Sequence, residues 1–200
     1  MELVLASASP WRKRLLETAG IRCRVEDPGV DESRFQGWGP VETARRRAAA
    51  KALAVAARLG PGPLVVGADQ VVHLEGRAFS KPRNPQDHRA MLHAMRGRSH
   101  DLVTAVCLSA GQPQGGAAVR EAFEETSRLV MRTDLTDAEI DAYVALGEAS
   151  SCGGGYRVDG VGLQLFERLE GDWTNVVGLP VPRLLTALRR LGWRLDPAAG

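Results

Sequence analysis

Residues 2–20 read ELVLASASPWRKRLLETAG, and two periodicities meet inside them. Glu2 to Ala6 is a short apolar run with the look of a buried strand. Ser9 stands where a helix N-cap belongs, Pro10 fits the first helical position, and Trp11 to Ala19 continue as a helix that Gly20 ends. A buried strand running through a tight turn into a helix is the opening unit of a mixed α/β protein. The turn also points free amides and the positive end of the helix dipole in one direction. Ser7 and Ser9 add hydroxyls there, and Arg12 and Lys13 add positive charge in the first turn, where it opposes the dipole unless an anion is present. The segment therefore reads as an anion site.

Outward from this unit, strands and helices alternate without an internal repeat. Arg22 to Glu26 reads as a second strand, and residues 27–39 form a loop longer than a connection needs. Val41 to Leu59 is an alanine-rich helix stopped by Gly60-Pro61-Gly62-Pro63. Leu64 to Leu74 is strand-like but broken at Gly67-Ala68-Asp69, and Glu75-Gly76 turns it back as a hairpin. Pro85 to Met95 reads as a helix, with His88 and His93 on its solvent side. Asp101 to Ser109 and Val119 to Arg132 read as strands. Thr136 and Glu139 form a capping box for a helix to Leu146. Gly153 to Gly162 is a glycine-rich loop before a strand from Leu163 to Leu169, and Leu184, Leu185, Leu188 and Leu191 mark the apolar face of a last helix. Breaks near residues 133 and 180 suggest two lobes of one domain, residues 1–192, with a tail over residues 193–200.

Composition narrows the function. Two hundred residues with 44% hydrophobic and 25% charged content suit a soluble globular enzyme, and a net charge of +2 argues against bulk nucleic-acid binding. Three cysteines without a CxxC pair point to a reducing, cytoplasmic setting. No run approaches the ~18 apolar residues of a membrane span, and MELVLASASP lacks the basic start of a signal peptide. The histidines have no zinc-ligand spacing. Only three of 26 basic residues are lysines: Lys13, Lys51 and Lys81. Where arginine is otherwise the rule, a retained lysine suggests a compact ammonium reaching one phosphate oxygen. Two acids complete the chemistry: Glu32 in the long loop and Asp69 after a buried strand, where a carboxylate needs a partner such as a metal or a proton-transfer role.

SASPWRKRLL, VDES, the AAAKA helix, VVGADQVV, EGRAFSKP, AMLHAMRGRSHDLVTAV, GGGYRVDGVG and NVVGLPV together resemble the Maf family of nucleoside triphosphate pyrophosphatases, from about Leu3 to Leu191. The resemblance implies an elongated α/β fold of the Maf/ITPase-like kind, with a mixed central sheet flanked by helices and a cleft between two lobes. It implies hydrolysis of a nucleotide to the monophosphate and diphosphate, assisted by a divalent metal cation, Mg2+ or Mn2+. It makes Asp69 the catalytic acid position and Glu32 and Asp69 the metal ligands. Ser7, Arg12, Lys13, Lys51 and Lys81 become the phosphate-facing residues. Trp11, Gln70 and Asp159 stand at the family's substrate-dividing positions. Trp and Gln, with the LFERLEG segment, resemble the 7-methyl-GTP branch, although that branch carries glutamate where this chain has Asp159. A cationic base on an indole gains ~0.5–2 kcal/mol over a neutral one. The expected partner is a small-molecule nucleotide, 7-methyl-GTP foremost, with no membrane and no stable nucleic-acid complex; a homodimer is compatible with the family. The alternatives are a dTTP/UTP pyrophosphatase of the same family, a non-enzymatic regulator of septum formation, and a nucleic-acid binder built on Arg45-Arg46-Arg47.

Overall fold

A computed structural model describes residues 2–194, so residues 195–200 of the expected tail lie outside the described part. The strands are β1 (Leu3–Ala6), β2 (Arg24–Glu26), β3 (Leu64–Leu74), β4 (Arg77–Phe79), β5 (Ser99–Gly111), β6 (Ala117–Met131) and β7 (Phe166–Glu170). The helices are α1 (Pro10–Thr18), α2 (Pro40–Leu59), α3 (Pro85–Met95), α4 (Asp137–Leu146), α5 (Trp173–Val177) and α6 (Val181–Arg190). All seven strands join one mixed sheet in the order β2-β1-β3-β5-β6-β7, with β4 also on β3. β1 runs parallel to β2 and β3, and the remaining pairs are antiparallel.

β5 pairs with β3 from Leu64 to His73 along one edge. The other edge is shared. β1 covers Leu3–Ala6 against Leu64–Gly67, and β4 covers Val72 to Leu74. Between them the edge of β3 from Ala68 to Val71 has no strand partner, and this notch lies just beyond the carboxyl end of β1, where open parallel units place their ligands.

Side chains alternate across the sheet. On one face α2 lies against β3 and β5 through the stripe Ala44, Ala48, Ala52, Val55 and Ala56. Its approach is close enough that a Cβ on Gly67 would stand 2.3 Å from the Ala48 carbonyl oxygen. The opposite face carries two apolar clusters. Leu64, Val66, Ala68, Val106 and Leu108 pack with Leu16 of α1 and Leu184 and Leu188 of α6. Val72, Leu74, Leu102, Leu129 and Met131 pack with Leu92 and Met95 of α3 and with Ile140 and Tyr143 of α4. A polar seam divides the two clusters: Gln70 Nε2 donates to Thr104 Oγ1 at 3.0 Å and to the Asn175 carbonyl at 2.6 Å, and Asn175 Nδ2 donates to Ser127 Oγ at 2.9 Å.

Several local expectations are corrected. β3 does not break at Gly67-Ala68-Asp69; it runs through all eleven residues. β2 begins at Arg24, two residues later than read. The last strand begins at Phe166, because Val161–Leu165 wind into a 3-10 turn. Ser9 occupies the N-cap but its side chain makes no capping bond; its amide donates instead to Ser7 Oγ at 3.2 Å. His88 is buried, not on the solvent side, with Nε2 2.5 Å from the Gly155 carbonyl. Gly155 has φ +72°, and a Cβ there would lie 2.7 Å from His88 Cδ2, so the glycine loop and His88 pack as one unit. The Thr136–Glu139 capping box is present.

Candidate active site

The notch in β3 collects the acids and the cations. Asp69 belongs to the face of β3 that α2 covers, and the α2 backbone comes down on Gly67 two residues earlier. Lys51 on α2 therefore reaches the sheet. Its Nζ lies 2.6 Å from Asp69 Oδ1 and 2.7 Å from Glu32 Oε1. Arg47, one helical turn earlier, sets Nη1 at 3.6 Å from Glu32 Oε2 and 3.7 Å from Asp69 Oδ2. Glu32 opens a short 3-10 turn, Glu32–Phe35, in the long loop, and Arg47 Nη2 donates to its carbonyl at 3.3 Å.

Lys51 and Asp69 are both buried, and a buried charge is tolerable only when paired. Asp69 uses one oxygen for Lys51; Oδ2 is buried without a hydrogen-bond partner. Arg47 Nη1 stands 3.7 Å from it, beyond hydrogen-bond distance, so the oxygen keeps its lone pairs for a further partner. For Glu32, partial burial pushes the carboxyl up, but the hydrogen bond and charge of Lys51, then the charges of Arg47 and Lys81, hold it below its ordinary value. It is an anion wherever the protein is folded near neutrality.

Arg12 occupies the unpaired edge. Its Nη1 donates to the Ala68 carbonyl at 2.9 Å and to Ser7 Oγ at 3.3 Å, and its Nε to the Gly178 carbonyl at 2.9 Å. Burial lowers the guanidinium's pKa, while the charges of Asp69 and Glu32 pull the other way. Ser7 Oγ accepts from both Arg12 and the Ser9 amide, so its own hydrogen remains to donate. Lys81 is exposed on the stretch after β4, and the charge it adds at Glu32 places it on the rim. Lys13 is not brought to the carboxylates: one residue past Arg12, it is turned to solvent and pairs with Glu17 at 3.4 Å.

The three residues expected to read the base divide. Trp11 and Asp159 meet through a third: the Arg157 guanidinium lies 4.3 Å from the Trp11 ring centroid and donates to both Asp159 oxygens at 3.3 Å. Gln70 turns its amide nitrogen into the seam between the two apolar clusters. By holding the Asn175 carbonyl it fixes α5, whose following Gly178 carbonyl orients Arg12.

Arg47 and Arg157 escaped the sequence reading. Arg47 stood inside Arg45-Arg46-Arg47, a run that spreads around α2: Arg45 pairs with Glu124, Arg46 with Glu42, and only Arg47 faces the acids. Its i, i+4 relation to Lys51 was the available signal. For Arg157 the available signal was its place two residues before Asp159, between Tyr156 and Val158, which are buried; the turn at residues 158–160 brings the two side chains together.

Among the described residues no group of three or more His, Cys, Asp or Glu side chains is placed to hold a metal. Glu32 and Asp69 are the two carboxylates here that could offer oxygens to a hard divalent cation, and the Lys51 ammonium bridges one oxygen of each.

The family described as Maf-like protein matches residues 2–191. A nucleoside triphosphate pyrophosphatase of Synechococcus sp. (strain CC9605) is 43% identical over 191 residues, covering 92% of this chain and 100% of its own. A 7-methyl-GTP pyrophosphatase of Cupriavidus pinatubonensis is 38% identical, covering 96% and 94%. A dTTP/UTP pyrophosphatase of Nitratidesulfovibrio vulgaris is 41% identical, covering 95% and 88%.

Proposed function

This chain belongs to the Maf-like protein family, and we infer from that membership and from the site that it is a nucleoside triphosphate pyrophosphatase, a hydrolase of phosphoanhydride bonds. We further propose that its preferred nucleotide is 7-methyl-GTP. Identity does not separate that substrate from dTTP or UTP, since relatives named for either are similarly close. The observation that carries the choice is the Trp11 face, which accepts a planar cation backed by the Asp159 carboxylate. N7-methylated guanine is such a cation, with an N1–H and an amino group to donate; dTTP and UTP are neutral there and leave the acid poorly paired.

In the reaction we propose, water bonds to the phosphorus on one side of the α–β bridge as the bridging electron pair departs with the leaving phosphate group. Asp69 takes the water proton through Oδ2, while Lys51 fixes the carboxylate through Oδ1. Arg12, Ser7, Lys51 and Lys81 present positive charge and donors to the phosphate oxygens. A divalent cation, Mg2+ or Mn2+, held by Glu32 beside Asp69 would neutralise phosphate charge and polarise the bond that breaks. Arg47 helps keep Glu32 ionised and holds both acids in register from behind.

A panel of canonical and methylated triphosphates, read by pyrophosphate release, tests the proposal with Asp69→Asn as control. Wild type should favour 7-methyl-GTP over GTP in kcat/KM by about fivefold, the ratio that ~1 kcal/mol of cation–π energy supplies. It should favour 7-methyl-GTP over dTTP and UTP by more, and Asp69→Asn should bind nucleotide yet turn over none. A preference for the pyrimidines would refute the base assignment alone; full turnover by Asp69→Asn would refute the catalytic one.

A further inference from the structure

The slot that would receive the base already holds a guanidinium. Arg157 lies over Trp11 at 4.3 Å and spans Asp159 with two donors at 3.3 Å. Its backbone amide donates to the Tyr143 hydroxyl at 3.0 Å, and Tyr156 and Val158 on either side are buried. The main chain is thus anchored while the side chain, 25% exposed, is held only by an indole face and one carboxylate. A guanidinium is a planar, delocalised cation with N–H donors along its edge. Guanine presents the same pattern at N1–H and the 2-amino group, and methylation at N7 supplies the charge. Arg157 therefore satisfies the groups that a 7-methylguanine base would satisfy.

We propose that Arg157 is an internal occupant of the base site, stacking on Trp11 and pairing with Asp159 in place of a purine, and that a nucleotide base enters by displacing it. The inference rests on the base assignment made above. A base that replaces both interactions exchanges with Arg157 on nearly equal terms. A base that can replace neither leaves the slot shut and is held by its phosphates alone. Arg157 thus sets base affinity without adding a contact to the substrate: the fraction of molecules with the slot open scales the apparent affinity of every ligand that uses it.

Calorimetric titration with nucleoside monophosphates tests this without turnover. In Arg157→Ala, 7-methyl-GMP and GMP should each bind about threefold or more tighter than to wild type, by a similar factor, while UMP changes less. Arg157→Lys, which keeps a charge but not the planar fork, should fall between. Methylguanidinium added to Arg157→Ala should compete with 7-methyl-GMP and bring its affinity back towards the wild-type value. Weaker or unchanged purine binding in Arg157→Ala, or indifference to methylguanidinium, would overturn the inference. The two proposals fail separately: a wild type that turns over dTTP or UTP in preference to 7-methyl-GTP sinks the base assignment, even where methylguanidinium still fills the vacated slot.

Discussion

Lys51 shows what one side chain decides at this site. Its ammonium is a point donor, and it bridges Asp69 and Glu32 at 2.6 and 2.7 Å from a buried position beneath α2. Arginine in its place would bring a planar fork, longer and wider, into a space bounded by Arg47 and the sheet. Lys51→Arg should therefore lower kcat/KM at least about tenfold and cost ~1–3 kcal/mol of stability, as overpacked buried sites do. Pyrophosphate release and urea denaturation measure the two effects, and an active, undiminished variant would show that only charge is required. Of the three lysines that scarcity singled out, Lys51 lies among the acids, Lys81 is exposed on the rim, and Lys13 is turned to solvent. Composition carries no information about which side of α1 faces the notch; Arg12, 100° away around the helix, is the residue that enters it. Arg47 was hidden for the opposite reason, being one of three arginines that composition treats alike.

At the scale of elements, the site depends on how closely α2 lies on β3. Alanines at 44, 48, 52 and 56 keep that face of the helix low, and Gly67 removes the last Cβ in the way. Gly67→Ala should push the helix off the sheet, costing ~1–3 kcal/mol. It should also reduce activity by more than the loss of folded protein explains, since Lys51 and Arg47 retreat with the helix. Measuring kcat at a temperature where the variant is fully folded separates the two, and an unchanged kcat there would show that the close approach serves stability only. The same residues explain why β3 looked broken in the sequence. A glycine and an aspartate inside an apolar run have turn chemistry, yet here the glycine answers to a neighbouring helix and the aspartate to a lysine eighteen residues earlier. Both partners are tertiary and leave no local trace. The long periodic elements, α2, α3, β5 and β6, were legible to within a few residues, because each shows its period over many turns or pleats. Five-residue α5 and the 3-10 turns at Gly153–Gly155 and Val161–Leu165 are shorter than any period that could announce them.

For the molecule as a whole, stability rests on two apolar clusters on one face of the sheet, joined across a polar seam. The cluster formed with α3 and α4 lies beside a buried titratable group that the chemistry does not use. His100 is buried, its Nε2 2.8 Å from the Tyr156 hydroxyl and its ring 5.9 Å from that of Phe166. Burial pushes its pKa from 6.5 down to about 4; Asp101 opposes the shift and His73 reinforces it. In the unfolded chain the imidazole regains its ordinary pKa, so between pH 6.5 and about 4 the unfolded state binds the proton that the folded state refuses. Stability from this group is then fully present above pH 6.5, falls as pH is lowered through that window, and levels off below pH 4. A shift of this size corresponds to about 3 kcal/mol over the whole window. His100→Gln keeps a partner for Tyr156 but cannot take up the proton. Its unfolding free energy, measured by urea at intervals from pH 7 to pH 4, should decline less steeply than that of the wild type. The two curves should converge towards the acid end as the wild-type advantage is lost. Parallel curves across that range would mean that the proton is bound equally in the two states, and that the imidazole is hydrated in the fold.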